Sequence, residues 1–216
     1  MTTTNSSRGK PEQIKLAVLE TAEWFNKDRV ATVRPFMRLL TQIVYDNPNF
    51  FHYANFTGKD DFADTLEYLV KKDGVQYVYI CTHGENGKID FPRGGIKNQL
   101  NATSWKRCFD KKLSGVLFGG CQLLPLAEKV SKEVQGNTWV AGHKELIDWV
   151  DSSLLDMTFL RIMLTLHDST KTQTKTRGAL DLLDDYHGHE SLREKLGFAV
   201  YMNGKKIDIY EEDDPE

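Results

Sequence analysis

Two short apolar runs, each ending in a small polar site, constrain the fold of this chain more than any other feature of its sequence. The first is VQYVYICTHG (residues 75–84), which ends in His83 and Gly84, and the second is GVLFGGC (residues 115–121), which ends in Cys121. Both runs are rich in β-branched and aromatic residues and too short for a typical helix, so they predict buried strands. Apolar runs without alternation are typical of parallel sheets covered by helices on both faces. Such sheets collect catalytic groups at the carboxyl ends of their strands, so we expect His83 and Cys121 to meet at one edge.

The remaining patterns alternate between strand and helix. Strands are expected at residues 14–22 (where a helix is the alternative), 50–56, 138–142 and 197–202, with a short hairpin strand near residues 88–91. Helices are expected at residues 30–45, 60–72, 104–112, 123–134, 152–166 and 179–196, and the polar run at residues 168–178 is expected to be a loop. This alternation predicts an α/β sandwich of three layers, with a mostly parallel central sheet of about six strands and helices on both faces. We expect one domain at residues 12–208, between a flexible tail at residues 1–11 and an acidic tail at residues 209–216.

Composition argues against several classes of protein. Charged residues make up 27% of the 216 residues and the formal net charge is −3, so no attraction to nucleic acid or to an anionic membrane is expected. The sequence has no long apolar run and no apolar segment near its start, so we expect neither a membrane span nor a signal peptide. We therefore expect the protein to be cytoplasmic. Cys81, Cys108 and Cys121 form an odd set without a CxxC pair, which argues against a disulfide scaffold or a structural zinc site. We assign Cys81 and Cys108 to packing in the core. We assign His187 and His189 to a surface turn rather than to a metal site, and we expect no cofactor.

The chemistry of a reactive cysteine fits the two strand ends. An ordinary thiol is only slightly ionised near neutral pH, so a catalytic Cys121 needs a base, which His83 can supply, and it gains from the N-terminus of the helix expected directly after it. Gly84 and Gly120 let a substrate approach the backbone, and the amides of Gly84 and Cys121 are candidates for an oxyanion hole. The alternative is that Cys121 is a small buried apolar residue and that the His-Gly pair is only a turn.

The order of these motifs resembles the caspase-like (clan CD) cysteine peptidases, which include caspases, metacaspases, separase, gingipain-like enzymes and bacterial CHAT domains. YICTHG and LFGGC carry the resemblance, which is greatest for stand-alone CHAT-domain and separase-like proteases. The segments at residues 138–164 and 197–204 resemble the strand, loop and long helix after the family's cysteine, and the closing strand of a CHAT domain. The resemblance implies that His83 is the general base and Cys121 the nucleophile. The QACRG context of true caspases is absent, which leaves cleavage after aspartate in doubt.

The resemblance also bears on the substrate. Related peptidases place an acidic residue in the pocket for the residue before the scissile bond, where this chain has Asp148 and Asp151 on either side of Trp149. A carboxylate there would select Arg or Lys, whereas the alternative is that Asp151 or Ser152 only caps the next helix.

By the same resemblance we expect a protein substrate, such as a pore-forming or toxin precursor in a microbial defence or cell-death system, and an activating partner. The polar run with Lys171, Lys175 and Arg177 is a candidate for self-cleavage. One rival hypothesis is a non-proteolytic binding module on the same fold. The other is a different α/β hydrolase or a nucleotide-binding protein, against which the lack of GxSxG, GxxxxGK(S/T) and GxGxxG motifs argues.

Overall fold

The computed structural model describes residues 14–21, 32–109, 113–134, 136–166, 172–186 and 188–209. The predicted tail at residues 1–11, nearly all of the acidic tail, Lys171 and His187 lie outside these residues. The strands are β1 (Leu16–Thr21), β2 (Phe51–Phe56), β3 (Tyr77–Cys81), β4 (Gly84–Glu85), β5 (Lys88–Ile89), β6 (Gly115–Gly119), β7 (Trp139–His143), β8 (Phe198–Met202) and β9 (Lys205–Lys206). The helices are α1 (Arg34–Tyr45), α2 (Lys59–Lys71), α3 (Ala102–Cys108), α4 (Leu124–Glu133), α5 (Trp149–Thr165), α6 (Thr172–Asp184) and α7 (His189–Leu196).

One mixed sheet forms the centre of the molecule. Its seven strands lie in the order β2-β1-β3-β6-β7-β8-β9. The first five are parallel, β8 runs antiparallel to β7, and β9 runs antiparallel to β8. The mostly parallel α/β sheet is therefore confirmed, and so is the strand at the start of the chain. The count exceeds the expected six because β9 consists of only two exposed lysines and therefore has no apolar pattern to detect. A separate hairpin of β4 and β5 follows β3 directly.

Helices cover both faces of the sheet, which confirms the three layers. One face packs against α1, α5, α6 and α7 through a cluster that includes Met37, Phe159, Leu180 and Leu196. The other face packs against α2, α3 and α4 through a cluster that includes Phe62, Trp105 and Val130. Successive residues of a strand enter opposite clusters, so a strand covered on both sides is apolar throughout, as in the two runs that predicted it.

The polar run at residues 168–178 is not simply a loop, because α6 begins inside it. The residues of α6 that are buried have helical spacing and include a polar one: Thr176, Ala179, Leu180 and Leu183. The polar side chains occupy its other faces. Lys175 Nζ lies 5.7 Å from the centre of the Tyr77 ring, and Arg177 Nε donates to the Asp208 carbonyl at 3.1 Å. The predicted loop is therefore wrong for the part of the run in this helix.

None of the helices in the described parts of the chain is long and apolar enough to cross a membrane.

Candidate active site

The ends of β3 and β6 bring the two candidate residues to the same edge of the sheet. These strands are parallel neighbours, and Cys81 of β3 pairs with Gly119 of β6. The segment after each strand reaches its candidate residue after the same number of residues: His83 follows β3, and Cys121 follows β6. The structure therefore places both residues at the carboxyl edge, where parallel sheets collect functional groups.

Two glycines allow the two strand ends to touch through their backbones. A Cβ atom at Gly84 would lie 2.3 Å from the carbonyl oxygen of Cys121, and one at Gly120 would lie 2.2 Å from the carbonyl oxygen of Thr82. No real Cβ atom approaches another heavy atom so closely, so only glycine fits at either position. The residue after His83 is consequently in contact with Cys121.

The Cys121 thiol is half-buried and faces the loop between β7 and α5. The Ile147 amide donates a hydrogen bond to Sγ at 3.4 Å, and the Ile147 carbonyl oxygen is 4.0 Å from the same sulfur. The next residue, Gln122, has a left-handed backbone with φ of 54°, and its amide donates to the Glu145 carbonyl at 3.1 Å. This sharp turn leaves the thiol at the rim of the sheet and starts α4 at Leu124 directly behind it.

The backbone around His83 is tied to the turn that follows Cys121. His83 is exposed, and its carbonyl accepts a hydrogen bond of 2.9 Å from the Asp90 amide, which closes the β4–β5 hairpin. At the tip of that hairpin the Gly87 amide donates to the Gln122 carbonyl at 2.8 Å. The hairpin therefore links the segments after the histidine and the cysteine.

Cys121 differs from the other two cysteines of the chain, all of which lie within the described residues. Cys81 and Cys108 are fully buried, one in each core cluster. Burial raises the pKa of the Cys108 thiol to about 11 and, with the nearby Glu20 and Asp156 carboxylates, raises that of Cys81 well above its ordinary value. Both buried thiols are therefore neutral near pH 7, and Cys121 is the accessible one.

Asp148 caps α5 beside the thiol. Its Oδ1 accepts hydrogen bonds from the amides of Val150 at 2.9 Å and Asp151 at 3.2 Å, which is the arrangement of an N-cap residue. Asp148 thus performs the capping that the alternative hypothesis assigned to Asp151 or Ser152. It is exposed, and it directly follows Ile147, whose amide binds the Cys121 sulfur.

The other two specificity candidates have partners elsewhere on the surface. Asp151 accepts a hydrogen bond from Lys195 Nζ at 2.7 Å, and this bond raises the pKa of Lys195. The Trp149 ring is half-buried and meets Phe36 of α1 edge-on, with ring centres 6.0 Å apart. Of the three candidates, Asp148 is the one that adjoins a residue in contact with the thiol.

A buried polar chain next to this edge escaped the sequence analysis. The Tyr79 hydroxyl donates to Asp156 Oδ2 at 2.9 Å, and His143 Nε2 lies 2.9 Å from Asp156 Oδ1. Asp156 and His143 have no solvent exposure. The only signal in the sequence is one carboxylate inside the apolar helix pattern LLDMTFL, where a charge is not expected unless it is paired.

The described residues contain no group of three or more His, Cys, Asp or Glu side chains suited to a metal ion. His189, one of the two histidines considered as ligands, has its Nε2 atom 3.2 Å from Thr158 Oγ1.

Comparison with known proteins gives similarity to solved structures alone. No protein-family model matches the sequence, and no curated protein matches it. Among solved structures, the chain is similar to a secreted C11 cysteine protease from Bacteroides thetaiotaomicron, whose X-ray structure contains an irreversible peptide inhibitor. The sequences are 10% identical, the TM-score is 0.47, and the match covers 88% of this chain and 66% of that one. At this similarity, a function for the chain has to be argued from its own residues.

Proposed function

We propose that this protein is a caspase-like cysteine endopeptidase in which Cys121 is the nucleophile and His83 the general base. The observation that carries the proposal is the placement of an accessible thiol and an exposed histidine at equivalent ends of two adjacent parallel strands. A purely structural cysteine is usually buried, as Cys81 and Cys108 are.

The reaction would follow the usual course of a thiol peptidase. His83 takes the proton of Cys121, the sulfur attacks the peptide carbonyl carbon, and the resulting oxyanion collapses as the C–N bond breaks. His83 returns the proton to the leaving amine, which departs and leaves a thioester. Water, deprotonated by His83, then hydrolyses the thioester and releases the carboxylate product and the free thiol.

We assign the oxyanion hole to the amides of Gly84 and Cys121. The contact between these residues supports the assignment, because it places the two backbones against each other with no side chain at position 84. A single donor of this kind is typically worth about 3–4 kcal/mol of barrier lowering.

For the substrate, we propose cleavage after Arg or Lys, with Asp148 as the selecting carboxylate. Its cap bonds both use Oδ1, so Oδ2 is the oxygen that would accept from a guanidinium or ammonium group. Asp151 is a weaker candidate because Lys195 already compensates its charge. Trp149 lies between Asp148 and Asp151 in the sequence and would contribute an apolar wall to the pocket for the basic residue.

The resemblance of the motifs to CHAT-domain and separase-like peptidases extends this proposal to the biological setting. We propose that the substrate is a partner protein, such as a pore-forming or toxin precursor, cut within a microbial defence or cell-death system, and that an activating partner controls the cleavage. The proposed chemistry requires no metal or organic cofactor.

A fluorogenic peptide library tests the proposal, with wild type, Cys121→Ala and His83→Ala, and with Cys108→Ala as the matched cysteine control. We expect cleavage after Arg or Lys, a loss of more than about 10³-fold in kcat/KM in the first two variants, and retained activity in the control. Cleavage after Asp would retain the peptidase and reject the acidic pocket. Absence of cleavage, together with iodoacetamide labelling of Cys121 no faster than that of a free thiol, would reject the peptidase.

A non-proteolytic binding module is the second candidate, and exposed apolar side chains favour it. Leu146, which precedes the Ile147 that contacts the thiol, is 76% exposed, and Ile43 on α1 is 68% exposed. This alternative predicts that Cys121→Ala retains full partner binding and that wild type hydrolyses no peptide.

A further inference from the structure

We propose that Tyr79, Asp156 and His143 are positioning residues, which hold the loop between β7 and α5 (residues 144–148) against the Cys121 thiol. The effect on thiol chemistry rests on the proposed peptidase function, whereas the effect on the loop does not.

The three side chains join three elements across the strand that carries the cysteine. Tyr79 belongs to β3, Asp156 to α5 and His143 to β7, and β6 lies between β3 and β7 in the sheet. Tyr79 can cross β6 because the residue there is Gly119, where a Cβ atom would lie 2.2 Å from the tyrosine hydroxyl oxygen. Gly119 lies just before Cys121, so the GGC motif accommodates this hydroxyl as well as the backbone contact at Gly120.

The hydrogen-bonded side chains of Tyr79, Asp156 and His143 tie together the elements on both sides of the loop. His143 is the last residue of β7 and directly precedes the loop, and Asp156 lies on the helix that directly follows it. Because a carboxylate only accepts hydrogen bonds, we assign the proton of their 2.9 Å bond to His143 Nε2. Burial and the nearby Asp156 charge raise the pKa of Tyr79 well above its ordinary value, so its hydroxyl keeps the proton that it donates.

Hydrogen bonds along the loop connect it to the cysteine. The Ile147 amide donates to Cys121 Sγ, and the Glu145 carbonyl accepts from the Gln122 amide. On its other side, the amides of Lys144 and Glu145 donate to carbonyls at the end of α7, at 3.1 and 3.3 Å. A shift of the loop would therefore move the Ile147 amide that donates to the sulfur, and it would also move the turn after Cys121.

Burial explains why these three polar side chains would fix the position of the loop. A carboxylate without solvent contact destabilises a fold unless it is fully paired, and an apolar residue at the same place is often as stable or more so. A buried polar chain has few satisfactory geometries, whereas apolar packing accepts many. Asp156, which lies about two turns into α5, can therefore set the distance between the end of β7 and this helix in a way that leucine cannot.

The test compares Tyr79→Phe with Tyr77→Phe. Tyr77 is a close control because it lies on the same strand and face and also donates a buried hydroxyl to α5, at the Met163 carbonyl. We expect Tyr79→Phe to speed hydrogen exchange of the Lys144, Glu145 and Ile147 amides by about tenfold, and Tyr77→Phe to change it by less than about twofold. Asp156→Asn is the second variant, with the same expected result.

Thiol reactivity and kinetics form the second measurement. In Tyr79→Phe we expect kcat to fall by roughly threefold to tenfold with KM nearly unchanged, and the iodoacetamide rate of Cys121 to change by at least about threefold. Tyr77→Phe should leave both within about twofold.

Equal exchange of the loop amides in the Tyr79→Phe and Tyr77→Phe variants would overturn the proposal whatever the enzyme does. Faster exchange in Tyr79→Phe alone supports positioning even if wild type hydrolyses no peptide, in which case only the peptidase assignment fails. Faster exchange with unchanged kcat and labelling would overturn the link between the loop and the thiol.

Discussion

Gly120 marks the tightest backbone contact at the candidate site, and its substitution separates local geometry from general stability. A Cβ atom there would meet the Thr82 carbonyl oxygen, a backbone atom that cannot move aside without shifting β3. We expect Gly120→Ala to lower the free energy of unfolding by roughly 1–3 kcal/mol and to abolish the proposed peptidase activity. Urea denaturation with a peptide assay measures both effects.

Gly178 provides the control for this substitution. It lies within α6, and a Cβ atom there would meet no heavy atom within 4 Å. Gly178→Ala should therefore raise the free energy of unfolding by about 0.5–1 kcal/mol, because alanine favours helix, and should leave activity unchanged. Similar losses of stability in the two variants would contradict the backbone contact.

Asp148 combines a cap with a negative charge, and two substitutions separate them. Asparagine also caps helices well, so Asp148→Asn should retain stability, whereas Asp148→Ala should lower the free energy of unfolding by about 1 kcal/mol. If the carboxylate selects Arg or Lys, both variants lose the preference for a basic residue in the peptide library. A preference that survives in Asp148→Asn but not in Asp148→Ala would show that only the helix start matters.

At the scale of elements, α6 changes what is expected of the polar run with Lys175 and Arg177. Proteases cut extended segments, whereas these two residues are half-buried in a helix that packs on the sheet. Trypsin should therefore leave the bonds after Lys175 and Arg177 intact in the native protein and cut both in urea. Mass spectrometry of the fragments measures this, and native cleavage after either residue would contradict the packing of α6.

Comparison of α6 with β3 and β6 shows which elements could be predicted from the sequence pattern and which could not. β3 and β6 could be predicted because both of their faces are covered, so that every residue is apolar. The short hairpin strand after His83 could be predicted because it lies in a segment rich in Gly, Asn and Pro. The start of α6 was hidden because its first buried side chain is Thr176, in a run otherwise rich in Thr, Lys and Gln. Asp156 and His143 were missed because Tyr79, which completes their chain, is remote in sequence and only the fold brings it near.

At the scale of the whole molecule, one sheet separates two apolar cores, each with a buried cysteine. Cys81 lies on the face covered by α1 and α5, and Cys108 lies in α3 on the opposite face. The sequence predicted the three layers but not which helices cover which face, because side-chain periodicity gives a buried stripe without naming its partner. The two thiols therefore report on the two faces separately.

These thiols test whether both faces unfold together. In a Cys121→Ala background we expect no iodoacetamide labelling of the native protein within minutes, because both remaining thiols are buried with raised pKa values. In rising urea, Cys81 and Cys108 should become labelled at the same midpoint, since the central strands contribute side chains to both cores. Labelling of Cys108 at distinctly lower urea would instead show that the α3 layer opens by itself. In that case the strand ends that carry His83 and Cys121 would still be held by the α1 and α5 face. The proposed peptidase activity, measured on wild type in the same urea series, should then outlast the loss of the α3 layer.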